Sequence, residues 1–374
     1  MKILVKQFLG KSHSWSVTGW GLAGALKQNH DVHLFSTNGL EYFPKHLRPN
    51  LIGYVNEDKP LEVFGRLPDK EYDMQISFTT MKNFGHYLKS GNKNRMGIWS
   101  FEWSGKNILP TGWAKHHIYC DHLITHSQFA KKVFLDSGIP EDKVKVIPLG
   151  IDAEQYRGTS TIQLPTKKKF KILANIAQTH LRKNIPGLLT SFARSFTIDD
   201  DVVLILKAKH KEPKLQFEVS LNQCLSDINK QYPRHAEIKI YNEFLDDISA
   251  LYRSVDCIFT MSHAECFYMP GIEALASGKI NIAPQACSQI DYLNDDNALL
   301  IDGKDERARP ESMYWESKPN AIWFQPDIDD AIDKLRYAYQ NYEALNKKLE
   351  GQREMILTKY SWQTIAGQMM ELCV

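Results

Sequence analysis

The sequence predicts an α/β protein made of two doubly wound, Rossmann-like domains that face each other across a cleft. A chain of 374 residues is long enough for two or three domains. Short apolar runs typical of buried strands alternate with helix-like segments, which indicates parallel sheets covered by helices. The alternation stops once, at residues 152–169, where apolar periodicity is lost and Pro165 and a lysine run occur. We therefore place an interdomain linker there.

The first half of the chain contains the strand and helix signals of one such domain. Apolar runs predict strands at residues 3–5, 32–36, 74–78, 96–99, 122–126 and 144–148. A helix is predicted at residues 21–29, and a second one follows Ser127, a good N-cap, and stops at Gly138.

The second half repeats the alternation after the linker. Strands are predicted at residues 170–176, 202–208, 238–241, 257–261, 279–283 and 298–302. Helices are predicted at residues 186–196, 213–232, 244–254 and 272–277, over all or part of 328–355, and at 362–372. We set the domain bounds at 1–160 and 161–355, followed by a closing helical segment at 356–374.

Composition excludes several classes of protein. With 46 basic and 44 acidic residues, the chain has no field strong enough to make nucleic acid or a membrane its main partner. None of the six cysteines forms a CxxC pair, so we expect reduced, buried thiols and no metal site. The N-terminal apolar run is too short for a signal peptide, and no stretch approaches the roughly 20 apolar residues of a membrane span. We expect a soluble, cytoplasmic protein.

The most informative stretch is SHAECFYMPGIEALASG, residues 262–278. Glu265 lies in the loop after a predicted strand, and Glu273 lies on the first turns of the following helix. Carboxylates accept hydrogen bonds from hydroxyls, while free amides at a helix N-terminus receive phosphate. This layout suits a ligand that has both groups, such as a nucleotide sugar. The alternative is an ordinary strand–helix turn with two solvated acids.

This stretch resembles the E-x7-E segment of retaining glycosyltransferases of the GT-B fold, family 4, also called glycosyltransferase group 1. The resemblance extends over residues 252–285, the interdomain segment KVKVIPLGIDAEQY and the closing helix YSWQTIAGQMMEL. It implies a GT-B fold whose second domain binds the nucleotide sugar. It also implies a first domain on the acceptor side and a last helix that crosses back to that domain.

The resemblance assigns roles to the two glutamates. Glu265 would lie against the donor sugar, and Glu273 would bind the ribose hydroxyls. Between them, Phe267, Met269, Pro270 and Gly271 are also placed in the donor site. The family usually has Gly-Phe-Gly after the first glutamate, whereas this chain has Cys266-Phe267-Tyr268. Loss of both glycines raises the cost of a tight turn and adds bulk near the sugar.

A second segment, AQTHLRKN, matches the loop in which the family carries an Arg and a Lys that neutralise the donor diphosphate. Lys183 aligns with the Lys, whereas the Arg position is occupied by Gln178. Arg182 or His180 is then expected to supply the missing charge, since cations stabilise a departing diphosphate. The alternative for Lys183 is a solvated loop lysine.

Near the N-terminus, GWGLAG fits G-x-G-x-x-G at Gly19, Gly21 and Gly24. A dinucleotide site is disfavoured, because the preceding strand ends well before Gly19 and the next strand is not followed by an acid. The resemblance places a Gly-rich loop here whose amides approach the donor phosphate, which gives Gly19 and Gly21 that role. Close packing of a helix on the sheet is the alternative.

Glu102 lies among aromatic residues in GIWSFEWSGKNILPTGW, where family members often have a His that faces the reacting sugar. It would orient the acceptor or the donor sugar, or it pairs with a nearby cation as a structural carboxylate. His126 and Ser127, after a predicted strand, are weaker site candidates.

The expected activity is that of a hexosyltransferase, moving a sugar from a UDP- or GDP-sugar to a hydroxyl acceptor with retention and without a metal. Acceptors left open are a polysaccharide, a lipid-linked glycan, a protein, a small metabolite or a modified nucleic-acid base. Peripheral contact with the inner face of a membrane also stays open, since many family members act on lipid-linked acceptors. The alternatives are a nucleotide-sugar epimerase, a phosphorylase, a non-catalytic sugar-binding scaffold and, more remotely, a Rossmann oxidoreductase.

Overall fold

The structure is a computed structural model, which describes residues 1–8, 14–37, 62–64, 71–88, 94–100, 109–177, 179–208, 218–308 and 321–373. The chain forms two compact units. The first unit comprises the described residues of 1–152 together with those of 358–373, and the second unit comprises Ala153–Leu357.

The strands are β1 (Lys2–Gln7), β2 (Asp31–Ser36), β3 (Glu62–Phe64), β4 (Met74–Phe78), β5 (Arg95–Ile98), β6 (His122–Thr125), β7 (Val144–Val146), β8 (Phe170–Ala177), β9 (Val202–Ala208), β10 (Glu237–Tyr241), β11 (Cys257–Phe259), β12 (Ile280–Pro284), β13 (Ala298–Ile301), β14 (Gly303–Arg307) and β15 (Ile322–Pro326). The helices are α1 (Ser14–Lys27), α2 (Phe84–Tyr87), α3 (Gln128–Asp136), α4 (Ala153–Arg157), α5 (Ile185–Ser195), α6 (Leu221–Gln231), α7 (Ile248–Arg253), α8 (Met269–Ala276), α9 (Ile328–Gln340), α10 (Tyr342–Glu350), α11 (Arg353–Lys359) and α12 (Trp362–Met370).

The first unit contains a parallel sheet whose described strands run in the order β3-β2-β1-β4-β5-β6-β7. Successive side chains of β1 point to opposite faces of the sheet, as in any strand. Ile3 and Val5 join the core that α1 and α12 cover, whereas Leu4 packs on the other face with Phe35 and Tyr72. The last helix of the sequence therefore completes the core of the first unit.

The second unit contains a parallel sheet in the order β10-β9-β8-β11-β12-β13, with an antiparallel hairpin, β14-β15, beside it. The order of both sheets reverses next to their first strand, which is the arrangement of a doubly wound fold. The predicted α/β class with two Rossmann-like domains is thus confirmed. The predicted strands all occur, with bounds shifted by a few residues, and β3, β14 and β15 were not predicted.

Several predicted helices and the linker needed correction. Helix α1 begins at Ser14, so Gly19 and Gly21 lie inside a helix and not in a Gly-rich loop. The predicted linker contains α4, whose Tyr156 is 2% exposed. Helix α6 begins only after its cap Ser220, and α7 after its cap Asp247, since both caps accept hydrogen bonds from backbone amides.

The region predicted as one long helix at 328–355 is divided into α9, α10 and the start of α11. The breaks fall at Asn341, with backbone angles outside the helical region, and at the turn around Gly351. In the described part of the chain, no helix is both long enough and apolar enough to cross a membrane.

Candidate functional site

The candidate site lies in the second unit, where the strand order reverses between β8 and β11. The loop after β8 contains a short 3-10 helix, Leu181–Lys183, and the loop after β11 leads to α8. Carboxyl ends of neighbouring parallel strands meet at one edge of a sheet, and ligands of doubly wound folds bind there. Both sequence segments that were expected to contact the donor therefore reach the same edge.

Glu265 forms two ion pairs at this edge. Its Oε1 lies 2.6 Å from Nζ of Lys183, and its Oε2 lies 3.0 Å from a guanidinium nitrogen of Arg182. The side chains are 7%, 15% and 13% exposed, respectively. The two adjacent cations expected to hold a diphosphate thus meet the first glutamate of the motif directly. We call these three side chains the charged triad.

The electrostatics of the charged triad favour an ionised carboxylate. Burial by itself would raise the pKa of Glu265. The positive charges of Lys183 and Arg182, with hydrogen bonds from Lys183 and Ser262, outweigh burial and lower that pKa to about 2. For Lys183, burial and the neighbouring Arg182 lower the pKa, while Glu265 opposes the shift. Glu265 is therefore anionic at neutral pH.

Backbone contacts fix the two loops against each other. Arg182 donates from its guanidinium to the carbonyl of Ala264 at 2.5 Å, and the amide of His263 donates to the carbonyl of Arg182 at 2.8 Å. His263 in turn stacks on Trp323 of β15, with ring centroids 3.9 Å apart, and its Nδ1 lies 2.9 Å from the carbonyl oxygen of Phe324. The unpredicted hairpin therefore supports the loop that carries Glu265.

Glu273 occupies the fifth position of α8 and belongs to a second hydrogen-bonded group. The hydroxyl of Tyr252 on α7 donates to Oε2 of Glu273 at 2.5 Å. The same hydroxyl accepts from the side-chain amide of Asn175 on β8 at 3.0 Å. Tyr156 of α4 lies near Glu273 and also lowers its pKa. The carboxylate is thus oriented by Tyr252 and, through it, by Asn175.

Burial raises the pKa of Glu273, and the hydrogen bond from Tyr252 and the nearby Tyr156 partly offset this effect. Burial also raises the pKa of Tyr252 well above its usual value, and the nearby Glu273 carboxylate adds to that shift. Tyr252 therefore remains a neutral hydrogen-bond donor, which is the form a carboxylate needs.

Tyr268 occupies one of the two positions where the family usually has glycine, and its backbone has the conformation that glycine tolerates best. It has φ of 62° and ψ of 62°, in the left-handed region, where a side chain is unfavourable. Its ring packs under α8 so closely that a Cβ at Gly271 would lie 2.6 Å from it. The hydroxyl of Tyr292 donates to the carbonyl of Tyr268 at 2.6 Å. Cys266, by contrast, does not have a positive φ, so only one of the two lost glycines is costly here.

The remaining predicted residues between the glutamates have different environments. Phe267 is 2% exposed and packs against Tyr292, with ring centroids 5.6 Å apart, so its side chain supports the loop. Met269 and Pro270 are half-buried at the start of α8, and the amide of Gly271 donates to the carbonyl of Tyr268 at 3.0 Å.

The other residues that the sequence suggested for the site, where the structure describes them, add no charge to the charged triad. His180 lies next to the charged triad, but burial and the charges of Arg182 and Lys183 lower its pKa to about 4, so it adds no charge at neutral pH. Ser127 caps α3, and burial lowers the pKa of His126 to about 4. Glu102 and Gln178 lie outside the described residues.

Gly19 and Gly21 belong to the first unit, in the interior of α1. A Cβ at Gly19 would come within 1.3 Å of the Gln7 side chain, and one at Gly21 within 2.1 Å of the Trp362 indole. The glycines therefore permit close packing of α1, which is the alternative the sequence had left open.

Sequence reasoning missed Tyr156, Tyr252 and Asn175. Tyr156 falls in the segment assigned as a linker, and Tyr252 follows the apolar period of an amphipathic helix, so neither has a local signal of function. The surroundings of Glu273 are built from α4, β8 and α7, three elements that are separated in the sequence. Over the residues the structure describes, no group of three or more His, Cys, Asp or Glu side chains is arranged to hold a metal ion.

Part of the chain matches a known protein family. Residues 158–315 match the family model described as glycosyl transferases group 1. The match begins just after α4 and includes the charged triad and the Glu273 group, apart from Tyr156. A search of curated protein sequences found no match.

Solved structures share the fold over the full length of the chain. HepE from Anabaena, in complex with UDP, matches with a TM-score of 0.67 and 17% identity, covering 100% of this chain and 99% of that one. Sucrose-phosphate synthase from Thermosynechococcus elongatus matches with a TM-score of 0.66 and 14% identity, covering 99% and 98%. The trehalose-6-phosphate synthase OtsA matches with a TM-score of 0.69 and 12% identity, covering 100% and 99%. At these identities the likeness establishes the fold.

Proposed function

We propose that this chain, a glycosyltransferase with a group 1 domain, moves a sugar from a UDP-sugar to a hydroxyl acceptor with retention at the anomeric carbon. The proposal rests on one observation. Arg182 and Lys183 form ion pairs with Glu265 at the edge of the sheet where α8 begins, and α8 carries Glu273. Cations and carboxylates at one edge provide partners for both the diphosphate and the hydroxyls of a nucleotide sugar.

Each group has a distinct part in the proposed reaction. Arg182 and Lys183 neutralise the charge that grows on the departing diphosphate, which lowers the barrier most in a site with little water. Glu273 accepts hydrogen bonds from the ribose hydroxyls, and Glu265 accepts from hydroxyls of the donor sugar. In this proposal cationic side chains, and not a metal ion, balance the charge of the diphosphate.

The stereochemistry follows the family that the motif resembles. The bond from the anomeric carbon to the diphosphate oxygen breaks, and the acceptor oxygen bonds to that carbon on the same face. The acceptor proton passes to the departing diphosphate, so atoms and charge balance. The choice of uridine is supported by HepE, whose structures contain UDP and UDP-glucose.

The first test is calorimetric titration of the protein with UDP, UMP, uridine, GDP and UDP-glucose. We expect UDP to bind more tightly than UMP, and uridine to bind weakest, because the cations act on the diphosphate. Lys183→Gln and Glu273→Gln should each weaken UDP binding at least roughly tenfold, as expected for a lost charged hydrogen bond. Lys304→Gln, at a side chain that is 74% exposed, is the matched control.

Equal affinity for UDP and uridine, or unchanged UDP binding in Lys183→Gln, would contradict the proposed site. Transfer from UDP-glucose to a panel of hydroxyl acceptors then tests the reaction, and the anomeric configuration of the product, read by NMR, tests retention. Conversion of UDP-glucose to another UDP-sugar without any acceptor would instead favour an epimerase.

A further inference from the structure

The charged triad combines two cations with one carboxylate that they hold in place. Lys183 and Arg182 contact different oxygens of Glu265, so both carboxylate oxygens are engaged. The neighbouring His180 is neutral near pH 7 because its pKa is lowered to about 4. The charged triad therefore carries a single net positive charge. A diphosphate group carries several negative charges, so the cations alone would match it better than the triad does.

Glu265 is held firmly in this position. Ser262 contributes a hydrogen bond to the carboxylate, and the adjacent Ala264 carbonyl accepts from Arg182 at 2.5 Å. The loop is also braced by the stacking of His263 on Trp323. Because of these contacts, the carboxylate cannot leave the cations without breaking several hydrogen bonds. A diphosphate that binds Arg182 and Lys183 must therefore share them with a fixed negative charge.

We propose that Glu265 is a charge counterweight: its negative charge weakens the binding of the diphosphate to Arg182 and Lys183 and so limits the affinity for UDP. This inference rests on the proposed function. Two like charges that share a cation repel each other strongly in a site of low effective dielectric constant. The consequence for the enzyme is that the product UDP is released more readily, which matters because release of product limits turnover in many enzymes.

A role for Glu265 in contacting the donor sugar alone makes a different prediction. UDP has no sugar beyond the ribose, so removing a pure sugar contact would leave UDP affinity unchanged and weaken only UDP-glucose. The counterweight predicts that removing the charge makes UDP bind more tightly. UDP is therefore the ligand that separates the two roles.

The experiment is a double-mutant cycle for UDP binding, measured by calorimetry on the full chain. Glu265→Gln keeps the shape of the side chain and removes its charge, and it should tighten UDP binding roughly tenfold or more. Lys183→Gln should weaken binding. The double variant has the same net charge in the triad as the wild type, so its affinity for UDP should return to within a few-fold of wild type.

The cycle stays informative if Glu265→Gln is unstable, since that variant leaves two buried cations unpaired. The comparison of Lys183→Gln with the double variant then decides, because the counterweight requires the double variant to bind UDP more tightly. Added salt should also weaken UDP binding more steeply in Glu265→Gln than in the wild type.

Equal or weaker UDP binding in Glu265→Gln and in the double variant, each compared with its parent, would overturn the inference. The proposed function has a separate point of failure, because it falls if the wild type binds UDP no better than uridine or if Lys183→Gln has no effect. A site that depends on Lys183 but is not tightened by Glu265→Gln keeps the function and removes the counterweight.

Discussion

Glu273 owes its properties to the two tyrosines around it. Burial favours its protonated form, and the hydrogen bond from Tyr252 and the nearby Tyr156 oppose the effect of burial. Tyr252 is itself fixed by Asn175, 3.0 Å away on β8. In the proposed function the carboxylate must be ionised to accept hydrogen bonds from ribose, so the tyrosines keep it in the useful state as well as the useful orientation.

Replacing Tyr252 should therefore change the pH dependence of donor binding. Tyr252→Phe removes a hydrogen bond that lowers the pKa of Glu273, so that pKa rises further. Because the carboxylate form binds, donor affinity is lost as the pH falls through this pKa, and the loss should begin at a higher pH in the variant. The measurement is the dissociation constant of UDP between pH 5 and pH 8, with about 2 kcal/mol weaker binding expected at the acid end.

Tyr337→Phe, at a residue that is 50% exposed on α9, is the matched control and should leave the profile unchanged. If Tyr252→Phe lowers affinity equally at every pH, its role is limited to packing.

Among the individual residues of the site, the sequence predicted the charged side chains but not the tyrosines that lie near Glu273. Glu265, Glu273, Arg182 and Lys183 could be located because a local motif and two loop positions indicate them. Tyr156 could not, because nothing in a polar 18-residue stretch distinguishes a buried tyrosine from a linker residue, and its role depends on a helix more than a hundred positions away.

Helix α1 shows how a motif can be misread when the start of an element is misplaced. The glycines of GWGLAG fit a phosphate loop by spacing, but the helix begins at Ser14 and includes them. The reason for glycine is steric, since Trp362 of α12 occupies the space where a side chain at Gly21 would lie. A contact between elements so distant in the sequence leaves no periodic signal, so the sequence alone could offer packing only as an alternative.

Gly21→Ala should destabilise the protein although alanine is the better helix former. The added methyl group would lie 2.1 Å from the Trp362 indole nitrogen, so the helix or the indole must move, at a cost of about 1–3 kcal/mol. Gly367→Ala in α12 is the matched control, because no atom lies within 4 Å of the position of its added methyl group. This control should gain about 0.5–1 kcal/mol from helix propensity.

Urea denaturation followed by circular dichroism would measure both variants. A Gly21→Ala protein that is as stable as Gly367→Ala would contradict the packing role and reopen a functional one for this glycine.

Among the described residues of the whole molecule, the first unit is made of two separate parts of the sequence and the second unit of one. The alternation of strands and helices predicted two Rossmann-like domains because parallel sheets impose that order. The hairpin β14-β15 was not predicted, since its partner for packing is the Glu265 loop and its strands lack the apolar alternation of a half-buried sheet.

Removing the last helix should unfold the first unit more than the second. A chain that ends at Tyr360 lacks Trp362, Ile365 and Met369, which are all nearly buried in the core of the first unit. Loss of one large core side chain typically costs about 3–5 kcal/mol, so loss of three exceeds the stability of an ordinary domain. Hydrogen exchange by mass spectrometry should show lost protection in β1 and β2 and retained protection in β8 and β9.

Gln363→Ala, at an exposed position of α12, controls for changes in that helix and should preserve protection everywhere. Uniform loss of protection in both units of the truncated chain would mean that the second unit depends on the first for its stability.

The position of α12 after the second unit in the sequence has a consequence during synthesis. Ribosomes make proteins from the N-terminus, and domains generally fold as their residues emerge. The described residues of the second unit lie within 153–357, so they leave the ribosome before α12 does. In the first unit, whose strands are translated earlier, the face of the sheet that α1 and α12 share is only partly covered until Trp362 and the residues after it leave the ribosome. A nascent chain that stops before α12 therefore exposes apolar surface of the first unit to chaperones and proteases.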